Sequence, residues 1–515
     1  MFDKKRYLRN IGFNWGAFAV SVAAGFLLSP FIVRNLGDAG YGYWSLVATA
    51  IAYFGYLDLG IQSGVGHYIT RHLADRDSAR MEQKVNSALT ALGVIGALVF
   101  LLACLSALVF PRFFRVGPES VAPLRAALLL LGAVAGVKFP LSVFQAMLVG
   151  AQRFDIVGGA AMVSKLANAG LVVLAFRLHH GVAGLACAVA ATQLLEALAL
   201  MAIARRIIPG VAFRPFVFHR HAFGQLFHYG AYNFIINLMG QFGAGFGTFL
   251  IGRRLAAEAI TYYSIGSELL PYMAGLVSAV TVPLLQIVIP LDVRGDFEAM
   301  RELLLTGTRY LFALVCLIGL NLLLVGHTFL GQWMGTKYLD PHPYGSSGTV
   351  LSILTLANMA GLSSSVAQQI LFGRRKNRLF AAFTFAETAV MALLALLLVP
   401  RYGILGVALA TLLPMAIVEG LALPFLAGRQ VGTGLWPYWR RGILPNLAVA
   451  ALVIGVCRPV LPLLAHRGWA TVFFSFSLVS TVHLAAVGLL LVEKEHRVQL
   501  VRLISERSAW GMRAG

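Results

Sequence analysis

Basic side chains lie within long apolar runs or at their ends: Lys138, Lys165 and Arg309 within them, and Arg34, Arg253 and Arg254 at helix ends. A charge in hydrocarbon is expensive, about 2.5–3.5 kcal/mol at a helix centre, so such residues are expected to face a wet cavity or a partner. Lys138 stands directly before Phe139-Pro140, a natural helix kink, and Lys165 falls near the middle of its apolar run. Arg34, Arg125 and Arg309 also have a plainer reading, because they lie close enough to run ends to snorkel. The acids in such runs are Asp58, Glu196, Glu268, Glu387 and Glu419. Asp58 and Glu268 are candidates for a polar or coupling role, and Glu196 and Glu419 read as structural partners. Asn233 and Asn237, with Gln241, Asn358, Gln368 and Gln369, add hydrogen-bonding capacity. An excess of cations with amides suits an anionic substrate with a bulky polar part, a phosphate or diphosphate above all. No paired carboxylates, nucleophile–base pair or metal-ligand spacing can be defended, so neither catalysis, a metal nor a cofactor is expected.

The elements that must position these residues are membrane helices. The chain has 515 residues, of which 59% are hydrophobic and only 12% charged, with a mean hydropathy of +0.79. Soluble domains carry about twice that share of charge. Runs of about 20 apolar residues place fourteen spans at 11–33, 43–69, 87–110, 123–149, 155–177, 183–204, 226–252, 260–290, 306–326, 347–372, 379–400, 404–427, 442–463 and 468–492. The runs 43–69 and 260–290 are long enough to be tilted or broken, and 442–463 contains Arg458 and Pro459.

With this division most of the 41 lysines and arginines fall on one side, which the positive-inside rule makes the cytoplasm. Both termini are then cytoplasmic. The net charge of +20 is chiefly a matter of topology and implies no nucleic-acid partner. The basic start, MFDKKRYLRN, leads into a full span without a small-residue cleavage site and reads as a first transmembrane helix. Cys104, Cys187, Cys316 and Cys457 all lie in spans and read as packing residues. No connecting loop has room for a soluble catalytic domain, and no P-loop, His-Glu-x-x-His or Gly-x-Ser-x-Gly motif occurs. The glycine run at Gly243, Gly245 and Gly247 falls within a span and reads as a packing or bending device. Leu500, Leu503 and Ile504 recur at helical spacing in a tail that could lie on the membrane surface.

The chain also repeats itself. The stretch from Ser29 to Thr70 holds the end of one apolar helix, a tight turn and a second helix, and the pattern returns from Phe249 to Leu270. One constant offset places Arg34 on Arg253, Leu36 on Leu255, Tyr43 on Tyr262 and Ser45 on Ser264. A second repeat follows: LVGAQRF and HHGVAGLACA correspond to LFGRRKN and RYGILGVALA. It pairs Gly181, Gly184 and Glu196 with Gly403, Gly406 and Glu419. The order of elements is the same in both copies. The expected fold is therefore an all-α integral membrane protein with two parallel-duplicated six-helix lobes and two C-terminal helices. Its expected parts are an N-terminal lobe (1–222), a C-terminal lobe (223–430), an extra helix pair (431–492) and an amphipathic cytoplasmic tail (493–515).

The LGDAGYGYWSL turn, the LDLG element, the two GxxGxA connections and LFGRRKNR make the chain, from about Asn10 to Arg429, resemble the polysaccharide-transporter family. These are the Wzx-type O-antigen and exopolysaccharide flippases of the multidrug/oligosaccharidyl-lipid/polysaccharide exporter superfamily. The resemblance implies two six-helix lobes in a V around a cationic lumen, with spans 13 and 14 as the usual extra pair. It implies transfer of an undecaprenyl-diphosphate-linked oligosaccharide across a bacterial inner membrane by alternating access, among membrane lipid and alongside polysaccharide polymerase and chain-length proteins. Lipid II flippases are a close variant. A multidrug cation antiporter of the same superfamily is the alternative, but it would want a carboxylate-lined cavity; a membrane-embedded glycan polymerase or ligase would want a large outer loop. Family members often carry an acid before the second turn, and here Phe242 to Ile251 has none, which leaves Glu268 as the nearest substitute.

Overall fold

A computed structural model describes residues 4–75, 78–208, 217–464 and 468–492. Every regular element among them is helical. Thirteen helices among the described residues are long and apolar enough to cross a membrane. The first, Trp15–Gly55, is two spans divided at Gly37, which brings the number to fourteen. The chain forms two compact units, residues 1–264 with 384–392 and residues 265–383 with 393–515. The amphipathic tail expected at 493–515 lies outside the described residues.

In the first unit α1 (Lys4–Gly55) turns at Gly37, whose φ of 69° and ψ of 174° favour a residue without Cβ. This is the LGDAG turn of the sequence. The second span stops again at 56–60, where Leu59 and Gly60 both take positive φ, and resumes as α2 (Ile61–Asp75). The Asp58 carboxylate accepts the Gly60 N–H at 3.2 Å inside this break. Backbone freed in a membrane must find such a partner within the protein. The long run 43–69 is thus a broken helix.

Next come α3 (Ser78–Phe113), α4 (Pro118–Gly150), α5 (Phe154–Arg177) and α6 (Gly181–Ile207). Helices α3 and α4 meet backbone to backbone: a Cβ built on Gly96 would lie 2.2 Å from the Gly136 carbonyl oxygen, and one on Gly132 would lie 2.1 Å from the Ala103 Cβ. In lipid, small residues of this kind drive helix association, because close approach rather than water exclusion supplies the attraction. Helix α7 (Arg220–Arg254) brings Gly245 against Thr49 and Tyr53, where a Cβ would be 2.6 Å from the Thr49 side chain. At least this member of the glycine run is therefore a packing glycine. Helix α8 (Ala257–Ser267) follows.

The two copies of the turn repeat touch one another. The Thr261 hydroxyl donates to the Asp38 carbonyl at 2.6 Å, and the Ser45 and Ser264 hydroxyls are 3.5 Å apart. A Cβ on Gly42 would lie only 1.9 Å from the Ala257 carbonyl oxygen. In the repeat alignment Asp38 corresponds to Ala257, Gly42 to Thr261 and Ser45 to Ser264. Contact 38–261 is therefore the mate of 42–257, and 45–264 is its own mate. That exchange is the signature of a local two-fold axis.

The second unit begins with α9 (Leu270–Thr281), a 3₁₀ turn at Val282–Leu284 and α10 (Leu285–Arg294), so the run 260–290 is also broken. Helix α11 (Phe297–Trp333) is N-capped by Asp296, whose carboxylate accepts the Ala299 N–H at 3.0 Å. Then come α12 (Ser347–Ser363), α13 (Ser365–Gly373), α14 (Asn377–Tyr402), α15 (Ile404–Ile417), a π-helical turn at Val418–Ala422 that holds Glu419, and α16 (Leu423–Gln430). Arg374 pairs with Asp292 at 3.1 Å, tying the start of the α13–α14 connection to α10. The last elements are α17 (Leu435–Tyr438), a π-helical turn at Trp439–Ile443, α18 (Leu444–Val460) and α19 (Trp469–Leu490). Three polar contacts fix this pair to α11. The Asn446 amide donates to the Arg309 carbonyl at 2.9 Å, Asn321 donates to the Ser480 hydroxyl at 3.1 Å, and the His483 ring meets the Ala313 carbonyl at 3.0 Å.

Candidate functional site

Lys138, two residues before Pro140 in α4, lines a cavity of about 430 Å³ within the first unit. The opposite walls come from the second span of α1, from α2 and from α6. The Lys138 ammonium donates to the Gln193 side-chain oxygen at 2.9 Å, and Glu196 and Lys165 lie within electrostatic range of it. Three glutamines (Gln62, Gln145 and Gln193), the Ser142 hydroxyl and the rings of Trp44 and Phe139 complete the lining with small aliphatic side chains. One held cation thus sits among neutral donors and acceptors in apolar walls. Such a lining can bind an anionic group through charge-assisted hydrogen bonds and a hydroxyl-rich body through amides and aromatic faces.

The glutamines were not singled out from the sequence, where each is one amide in an apolar run. Part of the signal was present. Lys138, Ser142 and Gln145 are spaced four and three residues apart, which puts them on one face of a helix. Gln62 and Gln193 come from other helices and join that face only through the packing of α2 and α6 on α4.

The other expected site residues are distributed along the chain. Lys165 is exposed on α5 and does not line this cavity. Arg34 is exposed one turn before Gly37. Arg253 and Arg254 are exposed in the last turn of α7, where the Arg253 guanidinium lies over the Phe113 ring at 5.1 Å. Asp58 occupies the break that precedes α2, close in sequence to the cavity residues Gly55 and Gln62. Asn237 is exposed on α7, and the Asn233 side chain lies outside the described residues. Glu268 stands between α8 and α9, near Tyr272. Asn358 and Gln368 bond within their own helical segments, to the Leu354 carbonyl and the Ser364 hydroxyl.

Fourteen membrane-length apolar spans among the described residues, some of them broken, with a lysine-bearing cavity inside a helical unit, make an architecture shared with solved membrane transporters. The chain superimposes on lipid II flippase MurJ in an inward closed conformation with a TM-score of 0.69, at 13% identity, covering 92% of this chain and 98% of that one. An inward-facing MATE multidrug resistance transporter of the MOP superfamily matches with a TM-score of 0.65, at 14% identity, over 81% of this chain and 94% of that one. The chain belongs to the family described as polysaccharide biosynthesis protein, whose model matches residues 7–291. Among its relatives is a Shigella flexneri protein described as an O-antigen transporter, 22% identical over 82% of this chain and 98% of that protein. Another is the uncharacterized membrane protein EpsK of Bacillus subtilis, 22% identical over 96% of this chain and 97% of that protein.

Proposed function

We propose that the protein is a flippase for an undecaprenyl-diphosphate-linked oligosaccharide, an O-antigen or exopolysaccharide repeat unit, in the bacterial inner membrane. The observation that carries this reading is the Lys138 cavity, a fixed cation among three amides, a hydroxyl and a tryptophan. The ammonium holds phosphate oxygen, the amides and Trp44 receive sugar, and the lipid tail stays in the bilayer. Family membership and the O-antigen transporter relative support the substrate class. The two repeats act as alternating halves, N- and C-termini lie in the cytoplasm, and Arg34, Lys165, Arg253 and Arg254 extend the cationic path. Asp58, Glu268, Asn233 and Asn237 supply its polar remainder. Polymerase and chain-length proteins act on the glycan once it is outside, and this chain itself makes or breaks no covalent bond.

The likeness to a MATE transporter favours a second reading, a multidrug cation antiporter. A cavity whose charged lining residue is a lysine weighs against it. The deciding experiment is the sidedness of undecaprenyl-linked oligosaccharide in cells lacking the protein, read with a probe confined to the periplasmic face. Accumulation inside, reversed when the gene is restored, is the expected outcome. Unchanged sidedness with new sensitivity to cationic drugs would establish the antiporter instead.

A further inference from the structure

A second cavity, of about 440 Å³, opens in the second unit between the start of α11 and the segment that leads into α18. Among the described residues its lining holds four arginines, Arg301 and Arg309 from α11 and Arg440 and Arg441 from the π-helical turn, and no carboxylate. Trp436, 66% exposed, and two prolines make up the rest. The nearest acid in sequence, Glu302, accepts from the Thr306 hydroxyl on its own helix.

The geometry points to this cavity as a site for the phosphate of an anionic phospholipid of the surrounding bilayer. It shares no residue with the Lys138 cavity and does not depend on the flippase reading. Arg301, Arg440 and Arg441 bring three like charges to one cavity, a repulsion that an anion lying between them relieves. Guanidinium forks match phosphate oxygens in pairs, which ammonium groups do not.

The arginines are carried by backbones fixed to each other. Gly442 abuts Thr308, with a Cβ position 3.0 Å from the threonine methyl, and the Asn446 amide donates both to the Arg309 carbonyl and to the Gly442 carbonyl. The buried Tyr438 hydroxyl anchors the preceding turn to the Ser363 carbonyl at 2.8 Å. A π-helical turn inserts an extra residue per turn, and such turns concentrate at functional sites. A lipid suits the place better than free phosphate. Leu444 and Leu447, exposed on the first turn of α18, continue from the arginines as an apolar track for acyl chains, and Trp436 is an interfacial aromatic. The charge distribution assigns this end of the helices to the cytoplasm, where basic pockets between transmembrane helices hold anionic headgroups.

Native mass spectrometry of the full chain in detergent tests the site with phosphatidylglycerol, cardiolipin, phosphatidylethanolamine and inorganic phosphate as probes. The wild type is expected to retain the two anionic lipids about tenfold better than phosphatidylethanolamine. The Arg301→Gln/Arg440→Gln/Arg441→Gln variant should fall to the phosphatidylethanolamine level, whereas Arg429→Gln, a cation outside the lining, should not. If the triple variant does not elute as a single species, Arg441→Gln and Trp436→Ala are read singly and are expected to lose part of the preference. Equal retention of phosphatidylethanolamine, or unchanged binding in the variants, overturns the proposal. Full displacement of the lipids by inorganic phosphate assigns a soluble anion and overturns it equally.

Discussion

Lys138 and Asp58 show how differently two charges in a membrane helix can be employed. Lys138 is held by Gln193 at the wall of a cavity, so on the proposed flippase reading removing it takes away a charge-assisted interaction with the anionic substrate. Such a bond contributes about 1.5–3 kcal/mol, so Lys138→Ala is expected to reduce transport roughly tenfold to a hundredfold, with Lys138→Arg retaining part of it. The measurement is glycan export per unit of membrane-inserted protein, and full activity in the alanine variant would remove Lys138 from the site. Asp58 accepts a backbone N–H inside a helix break, a role an asparagine oxygen can also fill. Asp58→Asn is accordingly expected to keep wild-type thermal stability, and Asp58→Ala to lose about 0.5–2 kcal/mol, as at helix caps. If Asp58→Asn is stable yet inactive, the carboxylate itself is needed for coupling. Chemistry at this scale was only partly legible in the sequence. Lys138 was marked by its kink and its cost in lipid, whereas Gln62 and Gln193 acquire meaning only where separate helices meet.

At the scale of elements, the sequence showed where helices would break better than which side of them would face what. Two runs too long for a single span, 43–69 and 260–290, are both broken, at 56–60 and at 268–269 and 282–284. The LGDAG turn falls at Gly37, where only a glycine is unstrained. Lys165 could not be placed the same way. Its helix is apolar almost all round, and a helix without a polar stripe does not announce its buried face. Packing glycines were equally silent, because their use depends on the neighbour. Gly132 is one of them, and Gly132→Leu would drive a side chain into Ala103 of α3. Overpacking of this kind costs about 1–3 kcal/mol, which thermal unfolding in detergent would register as a lower midpoint. An unchanged midpoint would mean that α3 and α4 can separate freely.

For the whole molecule the duplication was the most readable feature, since a constant offset survives even where individual words are diffuse. The contacts between the two copies of the turn were not readable, because alignment of a repeat says nothing about whether its copies touch. The Ser45 and Ser264 hydroxyls lie 3.5 Å apart, so a Ser45→Cys/Ser264→Cys variant is expected to form a disulfide on mild oxidation. If the protein works by alternating access, that link stops export and reduction restores it; a linked protein that still exports glycan would exclude any cycle that parts these residues.

The joint has a further property that follows from its symmetry. Away from the axis its contacts come in pairs: the Thr261 hydroxyl on the Asp38 carbonyl is balanced by Gly42 lying against the Ala257 carbonyl. Losing one member of such a pair leaves its counterpart in place, so the joint carries a spare. Ser45 and Ser264 have no spare, because on the axis each is the other's counterpart. The fastening is therefore fault-tolerant at its edges and vulnerable at its centre.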